Sequence, residues 1–312
     1  ANVITGNDWP LTIDTGSFPD PSSTIPSSGN TNDNIRVTSG SGTGTGTWPL
    51  FAGLDYVVTE SPTIAAAGAL TIADGNTLKF GNADSITING ALHVPGTPDN
   101  GVLFTQSSAS NWNGLHFQSG STGNLAYCTV EYSSYGVYAY APASLNIDHS
   151  ILQYNTYAFY GYSNANPVLT DNTFQNNTNT GIFIQNTTSP VIPASNTVTG
   201  NNKGIYFQDS ASPQVLCDVT GGETGIHFRN CTSPVISTGV TVQNTTGCGI
   251  YYEDCTGLGT INSLTLTGNA GYGALRMADS GDFTLGAANV ITGNDWPLTI
   301  DTGSFPDPSS TI

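Results

Sequence analysis

The sequence predicts an all-β fold in which the chain winds into a coiled solenoid of short strands. Three observations predict it: a repeat of about 21–25 residues, columns of turn residues in register with that repeat, and a composition poor in charge. The repeat is clearest in residues 181–254, where units of 23, 21 and 24 residues each open with Gly and a short apolar strand. Each unit shows three short strands and no helical pattern. Stacked units of this kind bury a continuous core that no single unit could bury alone.

The composition agrees with many short strands joined by turns. Of the 312 residues, 9% are charged, 37% are hydrophobic and 10% are aromatic. The aromatic content argues against disorder. The formal net charge of −17 argues against nucleic acid as a partner, because a polyanion would be repelled. No apolar run is long enough to predict a membrane span.

The two ends of the sequence are identical. Residues 1–25 recur without one change as residues 288–312, at an offset of 287. We interpret this identity as a 287-residue tandem unit plus one overlapping coil, with an artificial overlap as the alternative. The sequence starts part-way through a coil without an initiator Met, so we expect a fragment or a processed product. On this interpretation residues 1–312 form one continuous solenoid.

Several columns appear when the coils are aligned on the opening strand of each repeat. Two residues per opening strand point inward, with one outward residue between them. The inward pairs are Leu11/Ile13, Ile35/Val37, Leu78/Phe80, Leu115/Phe117, Val137/Ala139, Phe159/Gly161, Ile182/Ile184, Ile205/Phe207, Ile226/Phe228, Ile250/Tyr252, Leu275/Met277 and Leu298/Ile300. A second buried column is Leu152, Phe174, Val198, Val219, Val242, Leu266 and Ile291.

Turn residues form two further columns. Asn and Gly tolerate the left-handed backbone of a sharp turn, and stacked Asn amides can bond from coil to coil. The turn column is Asn155, Asn177, Asn201, Gly222, Thr245, Asn269 and Asn294, and the Pro column is Pro167, Pro190, Pro213 and Pro234. The first third is less regular: residues 38–47 predict a flexible loop and residues 94–113 an irregular connection.

One part of the sequence resembles a known class of proteins. Residues 48–106 are followed by WNGLHF at 112–117, AYCTVEY at 126–132, GVYAYA at 136–141 and then the repeated GI-x-F coils. This order resembles secreted bacterial and archaeal right-handed parallel β-helix repeat proteins of pectate-lyase-like architecture, over residues 48 to about 296. The resemblance implies a right-handed parallel β-helix and an extracellular or cell-surface location. It leaves function open, because the class includes adhesins, stalk proteins and enzymes.

The residues that could carry chemistry show no catalytic pattern. The five cations, Arg36, Lys79, Lys203, Arg229 and Arg276, lie in no lyase-type or hydrolase-type motif, and the acids are scattered singly. The four His residues have no metal-ligand spacing. The sequence therefore predicts no catalytic residue, no metal site and no cofactor, and a chain that is not an enzyme.

The Cys and Asn-x-Thr patterns leave alternatives open. Five Cys residues are too few and too irregular for a disulfide scaffold. Cys231 and Cys255 occupy matching positions on neighbouring coils, where stacked free thiols are preferred over a disulfide. Four Asn-x-Thr sequons make glycosylation a weak hypothesis, at Asn176, Asn186, Asn230 and Asn244.

The outward residue between the inward pairs carries the main functional prediction. From coil to coil this residue is Arg36, Lys79, His116, Tyr138, Tyr160, Phe183, Tyr206, His227, Tyr251 and Arg276. The next outward position includes Arg229 and Glu253, and Lys203 lies beside the strip. Because coils stack about 4.8 Å apart, these residues form a strip. The predicted binding or self-association strip is His116, Tyr138, Tyr160, Phe183, Tyr206, His227, Arg229, Tyr251 and Arg276. The rings either stabilise one another by stacking or form an exposed contact surface.

The predicted function is structural. We expect an extracellular tandem-repeat β-helix that forms a surface fibre, stalk or sheath. The alternative is a cell-surface adhesin or carbohydrate-binding β-helix, and a polysaccharide lyase or hydrolase is disfavoured because its motifs are missing. The predicted partners are other copies of the chain, end to end and laterally, and a polysaccharide.

Overall fold

A computed structural model describes residues 4–301 and 303–306 of the chain. Over these residues the chain forms strands and turns and no helix. The chain divides into two compact units, Ala1–Asn155 and Thr156–Ile312. Each unit is a right-handed parallel β-solenoid, which confirms the predicted fold class.

Unit 1 contains seventeen strands among the described residues, three to a coil from the second strand to the sixteenth. In chain order they are β1 (Leu11–Ile13), β2 (Ile35–Val37), β3 (Ser41–Gly42), β4 (Thr45–Trp48), β5 (Tyr56–Val58), β6 (Thr63–Ile64), β7 (Ala69–Ile72), β8 (Thr77–Phe80), β9 (Ser85–Ile88), β10 (Ala91–Pro95), β11 (Val102–Gln106), β12 (Trp112–Phe117), β13 (Thr122–Ala126), β14 (Cys128–Glu131), β15 (Ser133–Tyr140), β16 (Ser144–Asp148) and β17 (Ile151–Gln153). The first wall is built by β1, β2, β5, β8, β11, β14 and β17. The second wall has β3, β6, β9, β12 and β15, and the third has β4, β7, β10, β13 and β16.

Unit 2 contains the remaining twenty strands among the described residues. They are β18 (Tyr157–Tyr162), β19 (Val168–Thr170), β20 (Thr173–Gln175), β21 (Thr180–Gln185), β22 (Val191–Ile192), β23 (Thr197–Thr199), β24 (Lys203–Gln208), β25 (Gln214–Val215), β26 (Val219–Thr220), β27 (Thr224–Arg229), β28 (Val235–Ile236), β29 (Thr241–Gln243), β30 (Cys248–Glu253), β31 (Thr260–Ile261), β32 (Thr265–Thr267), β33 (Gly273–Ala278), β34 (Gly281–Leu285), β35 (Val290–Thr292), β36 (Leu298–Ile300) and β37 (Ser304–Pro306). The first wall runs from β20 through β23, β26, β29 and β32 to β35. The second runs from β18 through β21, β24, β27, β30 and β33 to β36. The third consists of two ladders, β22–β25–β28 and β31–β34–β37.

The second wall of unit 2 explains how the sequence positions side chains on both faces of one strand. Ile205, Ile226 and Ile250 are consecutive partners in the ladder and are fully buried. Because side chains alternate along a strand, the residue next to each inward position points outward. The predicted second column is also confirmed, since its members from Phe174 to Ile291 are ladder partners on consecutive coils of the first wall.

The corner between the first and second walls of unit 2 is closed by buried Asn side chains. Asn177 donates from Nδ2 to Oδ1 of Asn201 at 2.7 Å, and Asn201 donates to the carbonyl of Phe174 at 2.9 Å. Asn269, which is buried, repeats this bond by donating from Nδ2 to Oδ1 of the half-buried Asn294 at 2.9 Å. A buried amide must be paired, so each of these bonds holds neighbouring coils in register. The predicted Asn column is confirmed here.

Two segments of unit 1 are more regular than predicted. Residues 38–47, predicted as a flexible loop, contain β3 and most of β4. Gly46 lies so close to the Phe18 ring that no side chain would fit there, which shows that the Gly-rich sequence serves close packing. Residues 94–113, predicted as an irregular connection, contain β11 and the buried Trp112, which stacks on Phe80 at 4.0 Å.

The strand that the identical segments 1–25 and 288–312 have in common pairs on a different wall in each unit. Their residues 1–3, 302 and 307–312 lie outside the described part of the chain. In unit 1, β1 pairs with β2 on the first wall. In unit 2, β36 has the same sequence but pairs with β33 on the second wall. The prediction that Leu11/Ile13 occupies the wall of the GI-x-F strands is therefore wrong.

Candidate functional site

The predicted strip lies on the outer face of the second wall in each unit. In unit 1, His116 is the ladder partner of Tyr138. In unit 2 the partners follow one another from coil to coil, in the order Tyr160, Phe183, Tyr206, His227, Tyr251 and Arg276. The predicted neighbour relations within each unit are confirmed.

Arg36 and Lys79 do not belong to this strip. Both lie on the first wall of unit 1, where Arg36 and Lys79 each pair with Val57 of β5. Thr87 of β9 is the actual partner of His116 on the second wall. The prediction failed because strands of the first wall in this region have the same apolar, polar, apolar pattern as those of the second. Periodicity alone cannot tell the two walls apart.

Five rings of unit 2 form a continuous ring stack, defined by Tyr160, Phe183, Tyr206, His227 and Tyr251. Neighbouring ring centroids are 4.5, 4.5, 4.6 and 4.5 Å apart, and the interplanar angles lie between 10° and 16°. This offset-stacking distance is favourable for aromatic pairs. The ring stack is therefore held at the coil spacing by the ladder itself.

The centre of the ring stack is buried rather than exposed. The exposed fractions are 8% for Phe183, 8% for Tyr206 and 5% for His227. Each ring has both faces covered by the rings of the neighbouring coils, so only its edge approaches solvent. Of the two alternatives for the strip, burial at these three positions supports mutual stacking over an exposed contact surface.

Cations cover the ends and edges of the ring stack. The guanidinium of Arg276 lies 4.4 Å from the ring centroid of Tyr251 and 3.9 Å from that of Tyr272. Lys203 Nζ lies 4.5 Å from the centroid of Tyr206. Cation–π contacts of this kind hold a cation over a ring without neutralising its charge. Arg276 also donates from Nη2 to Asp301 at 3.2 Å.

His227 connects the ring stack to a carboxylate. Its Nε2 lies 3.1 Å from Oε2 of Glu253, and Arg229 Nε lies 3.6 Å from the same oxygen. A carboxylate only accepts hydrogen bonds, so the neutral imidazole donates from Nε2 and carries its lone pair on Nδ1. That Nδ1 is buried and has no hydrogen-bond partner among the described residues. We refer to Lys203, His227, Arg229, Glu253 and Arg276 as the charged cluster.

The surroundings keep His227 neutral. Burial lowers the pKa of His227 to about 3, and the positive charges of Lys203, Arg229 and Arg276 act in the same direction. Burial also lowers the pKa of Lys203, against the opposing effect of Glu223 and Glu253. Burial raises the pKa of Tyr206 and of Tyr251, so both phenols stay protonated at neutral pH. The charged cluster thus combines a carboxylate and a neutral imidazole, and protonated phenols lie beside it.

A cleft of about 200 Å³ opens beside the charged cluster. It is lined by Lys203, His227, Tyr251 and Arg276, together with residues for which the sequence predicted no role, chiefly Glu223 and Tyr272. Backbone bonds place those two in one column, since Gly247 donates to the Glu223 carbonyl and Tyr272 donates to the Gly247 carbonyl. Aligning the residue before each opening strand would have found this column.

The strip residues of unit 1 form a smaller group. The His116 and Tyr138 rings are 5.3 Å apart and tilted by 42°, and Tyr135 meets both edge-on. His116 Nε2 lies 3.1 Å from the Asn113 carbonyl, and burial lowers the pKa of His116. The ring planes here are tilted against one another, whereas the ring planes in unit 2 are nearly parallel.

All five Cys residues are buried free thiols in the described structure. Cys231 and Cys255 lie on adjacent coils, where the Thr256 amide donates to the Cys231 carbonyl at 3.0 Å. Over residues 4–301 and 303–306, no helix is long and apolar enough to cross a membrane.

Comparisons with known proteins agree with this architecture. Residues 64–198 and 94–230 match the model of the right-handed β-helix region. A mutant of the periplasmic alginate epimerase AlgG is 11% identical, with 86% of this chain and 77% of that chain covered and a TM-score of 0.45. The A-module of mannuronan C-5 epimerase AlgE4 from Azotobacter vinelandii is 13% identical, with 89% and 90% covered and a TM-score of 0.42. No curated protein matches the sequence.

These findings correct the functional prediction. The two solved structures named above are an alginate and a mannuronan epimerase, and this finding contradicts the predictions of a structural fibre and of a chain that is not an enzyme. The statement that the charged residues are scattered overlooked the coil period. Residues about 24 positions apart in sequence, such as His227, Glu253 and Arg276, meet on one face although they look scattered along the chain.

Proposed function

Because the chain belongs to the right-handed β-helix family, we propose that unit 2 modifies a polysaccharide on the outer face of its second wall. The substrate lies against the edges of the ring stack and reaches the charged cluster. Glu253 is the proton-transfer group, and the hydrogen bond from His227 Nε2 holds its carboxylate in place. The protein works outside the cytoplasm, at the cell surface or in the periplasm, where such polymers occur.

The observation that carries this proposal is the concentration of cations. The whole chain has five Lys and Arg residues and a net charge of −17. Three of the five, Lys203, Arg229 and Arg276, surround one imidazole and one carboxylate. Guanidinium groups pair with carboxylates in two-pronged fashion. We therefore expect a substrate whose sugar units carry carboxylates.

The chemistry suited to such a substrate is proton transfer at the carbon next to the carboxylate. Pairing that carboxylate with a guanidinium stabilises the negative charge that develops when the proton leaves. Glu253 accepts the proton, so that the C–H bond breaks and an O–H bond forms. The electron pair stays on the sugar as an enediolate. Return of a proton from Tyr251 to the other face would invert the carbon. Alternatively, the electron pair forms a C=C bond while the neighbouring C–O bond breaks, and the departing glycosidic oxygen takes the Tyr251 proton, which cleaves the chain.

The geometry supports this pair of groups. Tyr251 and Glu253 are outward residues of β30 two positions apart, which places their side chains about 6.6 Å from each other along the strand. The protonated Tyr251 phenol can donate a proton, and Glu253 can accept one. The hydrogen bond from His227 and the ion pair with Arg229 fix the carboxylate.

The test is hydrogen exchange in heavy water. The full chain is incubated with alginate or with polygalacturonate, and deuterium entering the sugar carbon is followed by NMR, together with ultraviolet absorbance of an unsaturated product. We expect exchange with at least one acidic polymer and a loss of about 10²–10⁴-fold in Glu253→Gln. Neutral cellulose is the substrate control. Equal exchange in the variant, or none with any acidic polymer, would contradict the proposal.

The predicted association with other copies of the chain remains a prediction. Light scattering of the purified chain would test it independently of any reaction.

A further inference from the structure

The third wall of unit 2 is interrupted between β28 and β31. On the coil before the break, the isolated bridge at Thr232 is followed three residues later by β28 at Val235. On the next coil, β31 begins at Thr260, four residues after the bridge at Thr256. No ladder joins β28 to β31 in the described part of the chain. One extra residue therefore puts β31 out of step with β28, as a bulge does.

The backbone before β31 leaves the wall at two glycines. Gly257 and Gly259 have φ of 66° and 64°, a conformation that glycine adopts without strain. As a result β28 has no ladder partner among the described residues of the following coil, whereas β25 is paired with β28 on its following coil. The carbonyls of Pro213 and Val215 accept bonds from the amides of Val235 and Ser237, at 2.8 and 2.9 Å. By contrast, no described residue of β31 donates to the carbonyls of Pro234 and Ile236.

A cleft of about 250 Å³ occupies the interruption. Its apolar lining comes mainly from Ile236, Leu258, Ile261 and Leu264. For scale, an engineered apolar cavity of about 150 Å³ in another protein binds benzene. The cleft beside β28 is therefore large enough for a substituted aromatic ring.

Tyr252 brings a hydroxyl to this cleft from the neighbouring wall. It is an inward residue of β30, stacked 5.2 Å from Phe228, and is 2% exposed. The preceding coils have Phe207 and Phe228 in the same column, and the following coil has Met277. Burial raises the pKa of Tyr252, so its hydroxyl stays protonated. That hydroxyl makes no hydrogen bond to any described residue.

Tyr252 lines the cleft, where its hydroxyl is open to solvent or to a ligand, and phenylalanine would fill the same column if packing alone were required. The cleft thus offers one unused donor, two unused carbonyl acceptors and an aliphatic lining. We propose that this cleft is a binding site for a small aromatic alcohol. The ring of the ligand packs on Leu258, Ile261 and Leu264, and its hydroxyl accepts from Tyr252 while donating to a carbonyl of β28.

Phenol is the probe for this site, and the full chain is titrated with it by ¹⁵N-resolved NMR. We expect saturable shifts confined to residues 233–236, 252 and 257–264. Tyr252→Phe removes only the hydroxyl and should weaken phenol binding about three- to tenfold. Benzene, which needs no hydroxyl partner, should bind wild type and Tyr252→Phe within a factor of two.

The matched control is Tyr251→Phe, which removes a hydroxyl one residue away on the opposite face of β30. It should leave phenol affinity within a factor of two of wild type. Equal phenol affinity in wild type and Tyr252→Phe would overturn the role of the hydroxyl. Shifts outside the residues of the cleft would overturn the site. Neither result depends on the activity proposed for the charged cluster, because the two sites lie on opposite faces of the wall.

Discussion

The two faces of β24, β27 and β30 carry parallel columns of stacked rings with different roles. On the inner face, Phe207, Phe228 and Tyr252 stack at 5.6 and 5.2 Å. On the outer face, Tyr206, His227 and Tyr251 stack at 4.6 and 4.5 Å. The ladder sets similar spacings on both faces. The chemistry differs because the inner rings lie in the apolar core, where only Tyr252 borders a cleft, whereas cations and carboxylates flank the outer rings.

The largest expected effect comes from removing an inner ring. Phe228→Ala should lower the free energy of unfolding by about 3–5 kcal/mol, because it leaves a cavity that the ladder prevents from closing. Tyr206→Ala removes a ring of similar size from the outer face and should cost about 1–3 kcal/mol, chiefly two stacking contacts. Urea unfolding followed by circular dichroism measures both. Equal costs would show that the outer stack belongs to the core as fully as the inner one.

The next effect concerns pH and distinguishes His227 from the inner rings. The pKa of His227 is about 3 in the folded chain and near 6.5 when unfolded. The unfolded chain therefore binds more protons between these values, so His227 contributes stability that is fully present above pH 6.5 and is lost as the pH falls toward 3. The expected loss is about a few kcal/mol.

His227→Phe is the matched control for that prediction, because it keeps a ring in the stack and removes the titrating group. The 22 acidic residues also affect acid stability, so the quantity to compare is the difference between wild type and variant across the pH range. The variant should lose less stability than wild type between about pH 6.5 and pH 4. Parallel curves would mean that folding does not lower the pKa of His227.

Much of the fold could be predicted from the sequence because every coil repeats the same constraints. The first-wall column from Phe174 to Ile291 and the Asn corner from Asn177 to Asn294 occur as predicted, since apolar alternation and left-handed turns demand particular residue types. Where the pattern fits two walls, the prediction fails. Leu11–Ile13 and Leu298–Ile300 have one sequence and occupy different walls, so their neighbours decide the pairing.

The sequence predicts which residues of the candidate site are neighbours, but not how buried they are or which side chains they contact. Sequence spacing placed Tyr206, His227 and Tyr251 side by side, and the ladder confirms it. Spacing could not show that the rings would bury one another, or that Glu253 would meet His227 rather than solvent. Both depend on side-chain directions and on contacts between coils, which a one-dimensional pattern does not contain.

The smallest effect on stability, and the sharpest test of the outer face, comes from Arg276→Lys. Lys keeps the charge but loses the planar group between Tyr251 and Tyr272, so the free energy of unfolding should change by less than about 1 kcal/mol. Affinity for an acidic polysaccharide, measured by isothermal titration, should fall about tenfold because the two-pronged contact is lost. Arg36→Lys is the matched control, since Arg36 pairs with Glu60 on the first wall of unit 1 and should leave affinity unchanged. If both variants bind as wild type does, Arg276 does not contact the polysaccharide, and the outer rings are flanked by charge for stability alone.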